Sequence, residues 1–151
     1  MDAPGETVDH RRLGVDLFNR TWTLMKKADR TPEETDELLH CAHASAYHWL
    51  LVGTAANRAR SEWQCSRVCA VLGRAEPALH HAQRCLELCE ASPEQLEDWD
   101  LPFAYEALAR ARAVAGERAE SERYLAKARE VGARIADQEE RELLEADLAT
   151  V

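Results

Sequence analysis

The chain has 151 residues, 46% of them hydrophobic and 31% charged, with a formal net charge of −9. That balance fits one soluble globular domain spanning residues 1–151, with enough chain to bury a core, and excludes a disordered segment. The longest apolar runs, such as Trp49-Leu50-Leu51-Val52, fall far short of the ~20 residues that cross a bilayer, so a membrane is not an expected partner. The N-terminal MDAPGETVDHRR has no apolar leader core, and five cysteines is an odd number. A cytoplasmic chain with reduced thiols is therefore expected. Met1 to Cys89 hold 12 acidic and 11 basic residues, whereas Glu90 to Val151 hold 16 and 8. So acidic a chain repels phosphate backbones, and nucleic acid is not expected as a partner.

Strand signals are nearly absent and helix punctuation is frequent. Leu13, Leu17, Leu24 and Ala28 recur near the helical period, predicting a first helix over about 8–28. Thr31-Pro32-Glu33-Glu34 reads as an N-cap, a proline at the first helical position and a capping box. The second helix then runs to Gly53. A third covers about 55–72 and stops at Gly73; a fourth runs from near Glu76-Pro77 to Ala91. Ser92-Pro93-Glu94-Gln95 opens a short helix or ordered loop. Pro102 marks the start of a fifth helix ending at Gly116, and a sixth covers about 118–132. Asp137-Gln138-Glu139-Glu140 is a second capping box, starting a final helix with Leu143, Leu144 and Leu148 turned inward. About seven helices, joined by short turns, form an all-α chain of antiparallel hairpins.

Two segments repeat. Val68 to Ala91 reads VCAVLGRAEPALHHAQRCLELCEA, and Arg110 to Ala133 reads RARAVAGERAESERYLAKAREVGA. Gly73 and Gly116 hold the turns. Ser66 and Ala109 are small residues on the first helices. Ala78, Ala82 and Cys85 on one second helix correspond to Ser121, Leu125 and Ala128 on the other. On these residues the chain resembles the tetratricopeptide (TPR) family of helical repeats, most clearly over 60–134. The glycine spacing of 43 exceeds the family's ~34 residues, and the insert ASPEQLEDWD carries most of the excess. The resemblance implies a right-handed superhelical stack, non-catalytic and without a cofactor, whose concave groove binds a peptide or protein. Groove residues would then be the outward ones of the first, third and fifth helices, among them Arg60, Arg67, Tyr105 and Arg112. The three arginines suggest an acidic peptide or carboxylate.

Three other constellations need weighing. HCAHASAYHW, residues 40–49, gathers histidines and aromatics, yet Ala42, Ala46 and Trp49 share one packing face, and His43 and His48 diverge from it. If the second and third helices are antiparallel, His48, Trp49, Asn57 and Arg60 meet at one end and could hold an anion or small acid. The thiols Cys65, Cys69, Cys85 and Cys89 are spaced like a metal site. In an antiparallel hairpin, however, Cys69 and Cys89 differ in level by nine positions, about 13 Å, too far for ~2.3 Å zinc–sulfur bonds. Only Cys65, Cys69 and Cys85 could converge, with His81 as a fourth ligand; otherwise these thiols are small buried hydrophobes. Finally, exposed Trp22 or Trp99 could support a homodimer. No phosphate loop, GxSxG, HExxH or CxxC appears, so no enzyme chemistry is expected.

Overall fold

A computed structural model describes Gly5 and residues 7–151. The leader reading of the first residues lies partly outside that span. The described residues form seven α-helices and no strand: α1 (His10–Met25), α2 (Pro32–Val52), α3 (Ala55–Val71), α4 (Ala75–Ala91), α5 (Asp100–Val114), α6 (Arg118–Gly132) and α7 (Gln138–Leu148). A single 3₁₀ turn, Pro93–Gln95, occupies the insert before α5. No helix among them is long and apolar enough to cross a membrane.

Local chemistry sets most boundaries. The Thr31 hydroxyl accepts the Glu34 N–H at the start of α2, and Asp137 accepts the Glu140 N–H at the start of α7. The two glutamate side chains differ: Glu34 stays at its cap beside Thr31, and Glu140 turns away from its own. Glu34 accepts from Lys27 and from the Thr31 hydroxyl, and Glu140 turns towards a cavity described below. The complete box is at α3, where Thr54 accepts the Asn57 N–H and the Asn57 side chain accepts the Thr54 N–H. Gly73 and Gly116 adopt φ of 72° and 79°, the left-handed region that favours glycine. Both end their helices with the same bonds: Gly73 N–H to Ala70 and Arg74 N–H to Cys69, then Gly116 N–H to Ala113 and Glu117 N–H to Arg112.

α1 pairs with α2, α3 with α4 and α5 with α6, and each hairpin also packs on the next. A buried serine marks each crossing. The hydroxyls of Ser45, Ser66 and Ser121 donate to the carbonyls of Gly14, Ala78 and Ala109 at 2.7–2.8 Å. Such bonds need a small residue opposite, because helix axes approach this closely only where side chains are short. At Gly14 a Cβ would lie 2.9 Å from the Trp49 ring. The core follows the stack. Leu24, Leu38, Ala42, Cys65 and Val68 fill the α1–α2–α3 junction, and Cys69, Ala82, Cys85, Leu108 and Ala111 lie among those filling the next. α7 closes the far end, burying Leu144 and Leu148 with Ile135 and Ala128. Leu143, expected inward, is 60% exposed; it stands one helical step from the buried pair and looks along the open face of the hairpins.

Candidate functional site

The first helices of the three hairpins leave one face free of their partners. There α1, α3 and α5, with α7 on the fourth side, border an open cavity of about 630 Å³. Five aromatic rings line it: Phe18 and Trp22 from α1, Trp63 from α3, and Trp99 and Phe103 from the start of α5. They form a continuous series. Phe18 meets Trp22 edge-on at 6.5 Å, Trp22 lies 5.6 Å from Trp63, and Phe103 meets both Trp63 (5.9 Å) and Trp99 (6.5 Å) edge-on. Both phenylalanines and three of the four tryptophans of the chain are here, each half-buried. Trp22 and Trp99, expected as exposed self-association surfaces, are walls of this cavity. Cys85 from α4 also reaches its lining, and α7 adds Glu140, Leu143 and Asp147.

Most polar groups around the rings are paired with one another. Arg60 donates Nε and Nη2 to the two oxygens of Asp100 at 2.9 Å each, with its guanidinium 4.3 Å from the Trp99 ring centre. Asp100, almost fully buried, also accepts the Glu97 N–H at 2.9 Å. Beside them Glu106 is completely buried. It accepts from Trp63 Nε1 (3.2 Å), Arg67 Nη1 (3.3 Å) and Arg110 Nε (2.7 Å). Arg67 continues to Asp147 at 3.4 Å, and Arg110 to the Asp147 carbonyl and the Thr150 hydroxyl. Several charge-assisted bonds to one carboxylate offset the cost of removing it from water. They also tie α3, α5 and α7 together across the groove.

This arrangement corrects the expected basic groove. Arg60 and Arg67 do face the open side, but their guanidiniums are held by the chain's own carboxylates. The other two residues point elsewhere. Tyr105 stacks on Tyr124 of α6 at 6.3 Å, where burial raises its phenol above the usual range. Arg112 pairs with Glu117 and borders a separate hollow against α4, with Glu76, Leu79 and His80. The four residues therefore share no surface: within α5 a period of 3.6 sends positions 105 and 112 away from 103 and 106, the positions that meet α3. Among the described residues, Lys26 and Glu140 are the charged groups of the cavity whose side chains have no ion-pair or hydrogen-bond partner.

The second constellation is half assembled. Trp49, Asn57 and Arg60 line a small cleft of about 140 Å³ with Val15, Phe18, Asn19 and Ser61. Phe18 and Arg60 belong to both hollows, so the cleft adjoins the aromatic cavity. His48 is not in it. Its Nδ1 shares a 2.9 Å hydrogen bond with Nδ1 of His10 on the α1 side. Asn57 has its carbonyl oxygen committed to the α3 cap, and Arg11 covers the Trp49 ring at 5.3 Å.

The thiols do not converge. Cys65 points to α2, donating to the Ala42 carbonyl at 3.6 Å, while Cys69 and Cys85 belong to the neighbouring α3–α4–α5 core. His81 Nδ1–H donates to Glu62 Oε2, 2.6 Å away. Among the described residues no group of three or more His, Cys, Asp or Glu side chains is arranged to hold a metal ion. Burial pushes the Cys65 and Cys69 thiols up; at Cys85 the hydrogen bond with Cys89 acts first and burial second. These thiols are neutral packing groups at ordinary pH.

Sequence reasoning missed the aromatic cavity because its rings come from three distant helices. One signal was available: Phe18/Trp22 and Trp99/Phe103 are both aromatic pairs spaced i, i+4, so each presents two rings on one helix face. Compared with family models, curated proteins and solved structures, the chain gives no significant match.

Proposed function

We propose that this chain is a TPR-like, right-handed stack of helical hairpins that binds a peptide or protein segment in its concave groove, without catalysis. The observation that carries this reading is the aromatic cavity. Half-buried tryptophans and phenylalanines converging in one concavity are the kind of surface from which interaction hot spots are built. The repeated Gly73 and Gly116 turns and the serine-bridged crossings support the stacking. Paired arginines hold the groove in one shape, so a partner pays little to order it. The partner's anchor enters the ring-lined cavity, and the adjoining cleft at Trp49 and Asn57 receives the next part of the segment.

Display selection of random peptides on the immobilised protein tests the reading. Enriched peptides should bind wild type and lose about tenfold or more in affinity to Trp63→Ala and Phe103→Ala, the size of effect expected at an aromatic hot spot. Circular dichroism establishes that both variants remain helical. Equal binding by folded variants, or no enrichment at all, sinks the proposal. The α7 wall, together with a volume in the ordinary small-ligand range, favours a second reading: a small organic ligand seated among the rings. That reading moves the site from the His48 corner to the rings.

A further inference from the structure

We infer that the aromatic cavity selects a cationic side chain, the arginine or lysine of a bound peptide. This rests on the groove-binding reading above and names what its anchor must be.

The rings supply the first reason. An aromatic face is electronegative, so it attracts a cation and repels an anion; tryptophan does so most strongly. Here Trp63 and Phe103 stand at 84° to one another, and Trp99 and Phe103 at 83°. Walls at right angles turn ring faces in different directions, so a guanidinium or ammonium can lie against one face while its alkyl stem packs on a neighbouring ring. The chain already uses this chemistry beside the cavity, where Arg60 lies over Trp99 while Asp100 takes its hydrogen bonds.

Charge supplies the second reason. The lining holds Lys26 and Arg60 against Asp100, Glu140 and Asp147. Arg60 is matched to Asp100, and Asp147 is shared with Arg67. What is left unpaired among the described residues is Glu140 and Lys26. The two are not equal. Glu140 is half-buried on the α7 wall, whereas Lys26 is exposed and its charge is weakened by water and salt. An incoming carboxylate would meet ring faces and a half-buried carboxylate, with only a solvated ammonium to attract it. An incoming cation would meet the rings and Glu140. A neutral aliphatic side chain would fill the same volume and leave Glu140 without a partner.

The experiment uses four acetylated, amidated pentapeptides, Gly-Ala-X-Ala-Gly, with X as arginine, lysine, leucine or glutamate. They are titrated at millimolar concentration into the whole protein, and the tryptophan indole N–H resonances are followed by NMR. The arginine and lysine peptides should shift Trp22, Trp63 and Trp99 in a saturable way and by more than Trp49, whose adjoining cleft receives only a flanking alanine or glycine. Leucine and glutamate peptides should bind more weakly. Glu140→Gln, which keeps the size of the side chain, should weaken the arginine peptide about threefold to tenfold, the range for losing one partly buried charge partner beside a cation–π contact. Leucine binding as tightly as arginine overturns the cationic anchor and leaves the groove reading standing. Arginine binding unchanged by Glu140→Gln, or shifts spread evenly over all four indoles, also overturns it. Shifts from none of the four peptides overturn both.

Discussion

The hairpins α3–α4 and α5–α6 are alike where their helices turn and cross, and unlike where they face the groove. With a shift of 43 positions, Gly73 falls on Gly116, Ser66 on Ala109 and Ala78 on Ser121. The crossing bond is kept while its direction reverses: α3 donates through Ser66 in one hairpin, and α6 donates through Ser121 in the other. Under the same shift Arg60 falls on Phe103, Trp63 on Glu106 and Arg67 on Arg110. Arg67 and Arg110 are copies that both donate to Glu106, whereas Trp63 and Glu106 are counterparts that bond to each other. Distance between axes constrains a crossing, and either donor satisfies it. A groove position is constrained by the helix beside it, and at Trp63 and Glu106 the two counterparts have become complements.

This difference can be broken most forcefully at Glu106. Replacing it with alanine leaves Arg67 and Arg110 without their buried carboxylate, and the loss in urea unfolding should be about 3–5 kcal/mol; a loss below about 1 kcal/mol would mean the groove network does not hold α3 to α5. At the turns the two hairpins should behave identically. Gly73→Ala and Gly116→Ala meet no steric obstacle, only the left-handed backbone, and each should cost about 1–2 kcal/mol. A clear inequality between them would separate hairpins that the turn geometry equates. A smaller effect is expected at the crossings, where Ser66→Ala and Ser121→Ala should each cost about 1 kcal/mol despite their opposite polarity.

The smallest effect is electrostatic and belongs to one hairpin. Cys69, Cys85 and Cys89 correspond to Arg112, Ala128 and Gly132, so the second hairpin has no thiols to titrate. The folded pKa values of Cys65, Cys69 and Cys85 are raised, and the native state keeps protons that the unfolded chain releases above about pH 8.5. The native state therefore binds more protons there, and stability falls as pH rises beyond that value. Denaturation midpoints measured from pH 7 to 10 should decline, and a rise would contradict buried, neutral thiols.

How much of this could be read from the chain depends on the range of the signal. Thr31-Pro32, Gly73, Gly116 and Asp137 are local devices whose bonds span a few residues, and the helices begin and end beside them. The α6 limits at 118 and 132 follow from the same punctuation. The groove is different. Arg60 looked available because its partner Asp100 lies 40 positions away, and Arg67 because Glu106 lies 39 away. No periodicity within one helix reveals such pairing. The direction of Cys65 was likewise decided by α2, which the α3–α4 hairpin alone does not contain. Local rules thus delivered the scaffold and left the lining of the groove to contacts between helices.

The insert before α5 is more than a long turn. Gln95 accepts the Ala55 N–H at the start of α3, Asp98 accepts the Ala136 N–H ahead of α7, and Trp99 between that residue and Asp100 forms a cavity wall. One short segment is thereby a three-way strut: it is anchored to a helix on either side and carries the surface a ligand would press on. Force applied at Trp99 is transmitted to both anchors, so occupancy of the cavity would be registered as changed amide protection at Ala55 and Ala136, outside the cavity itself.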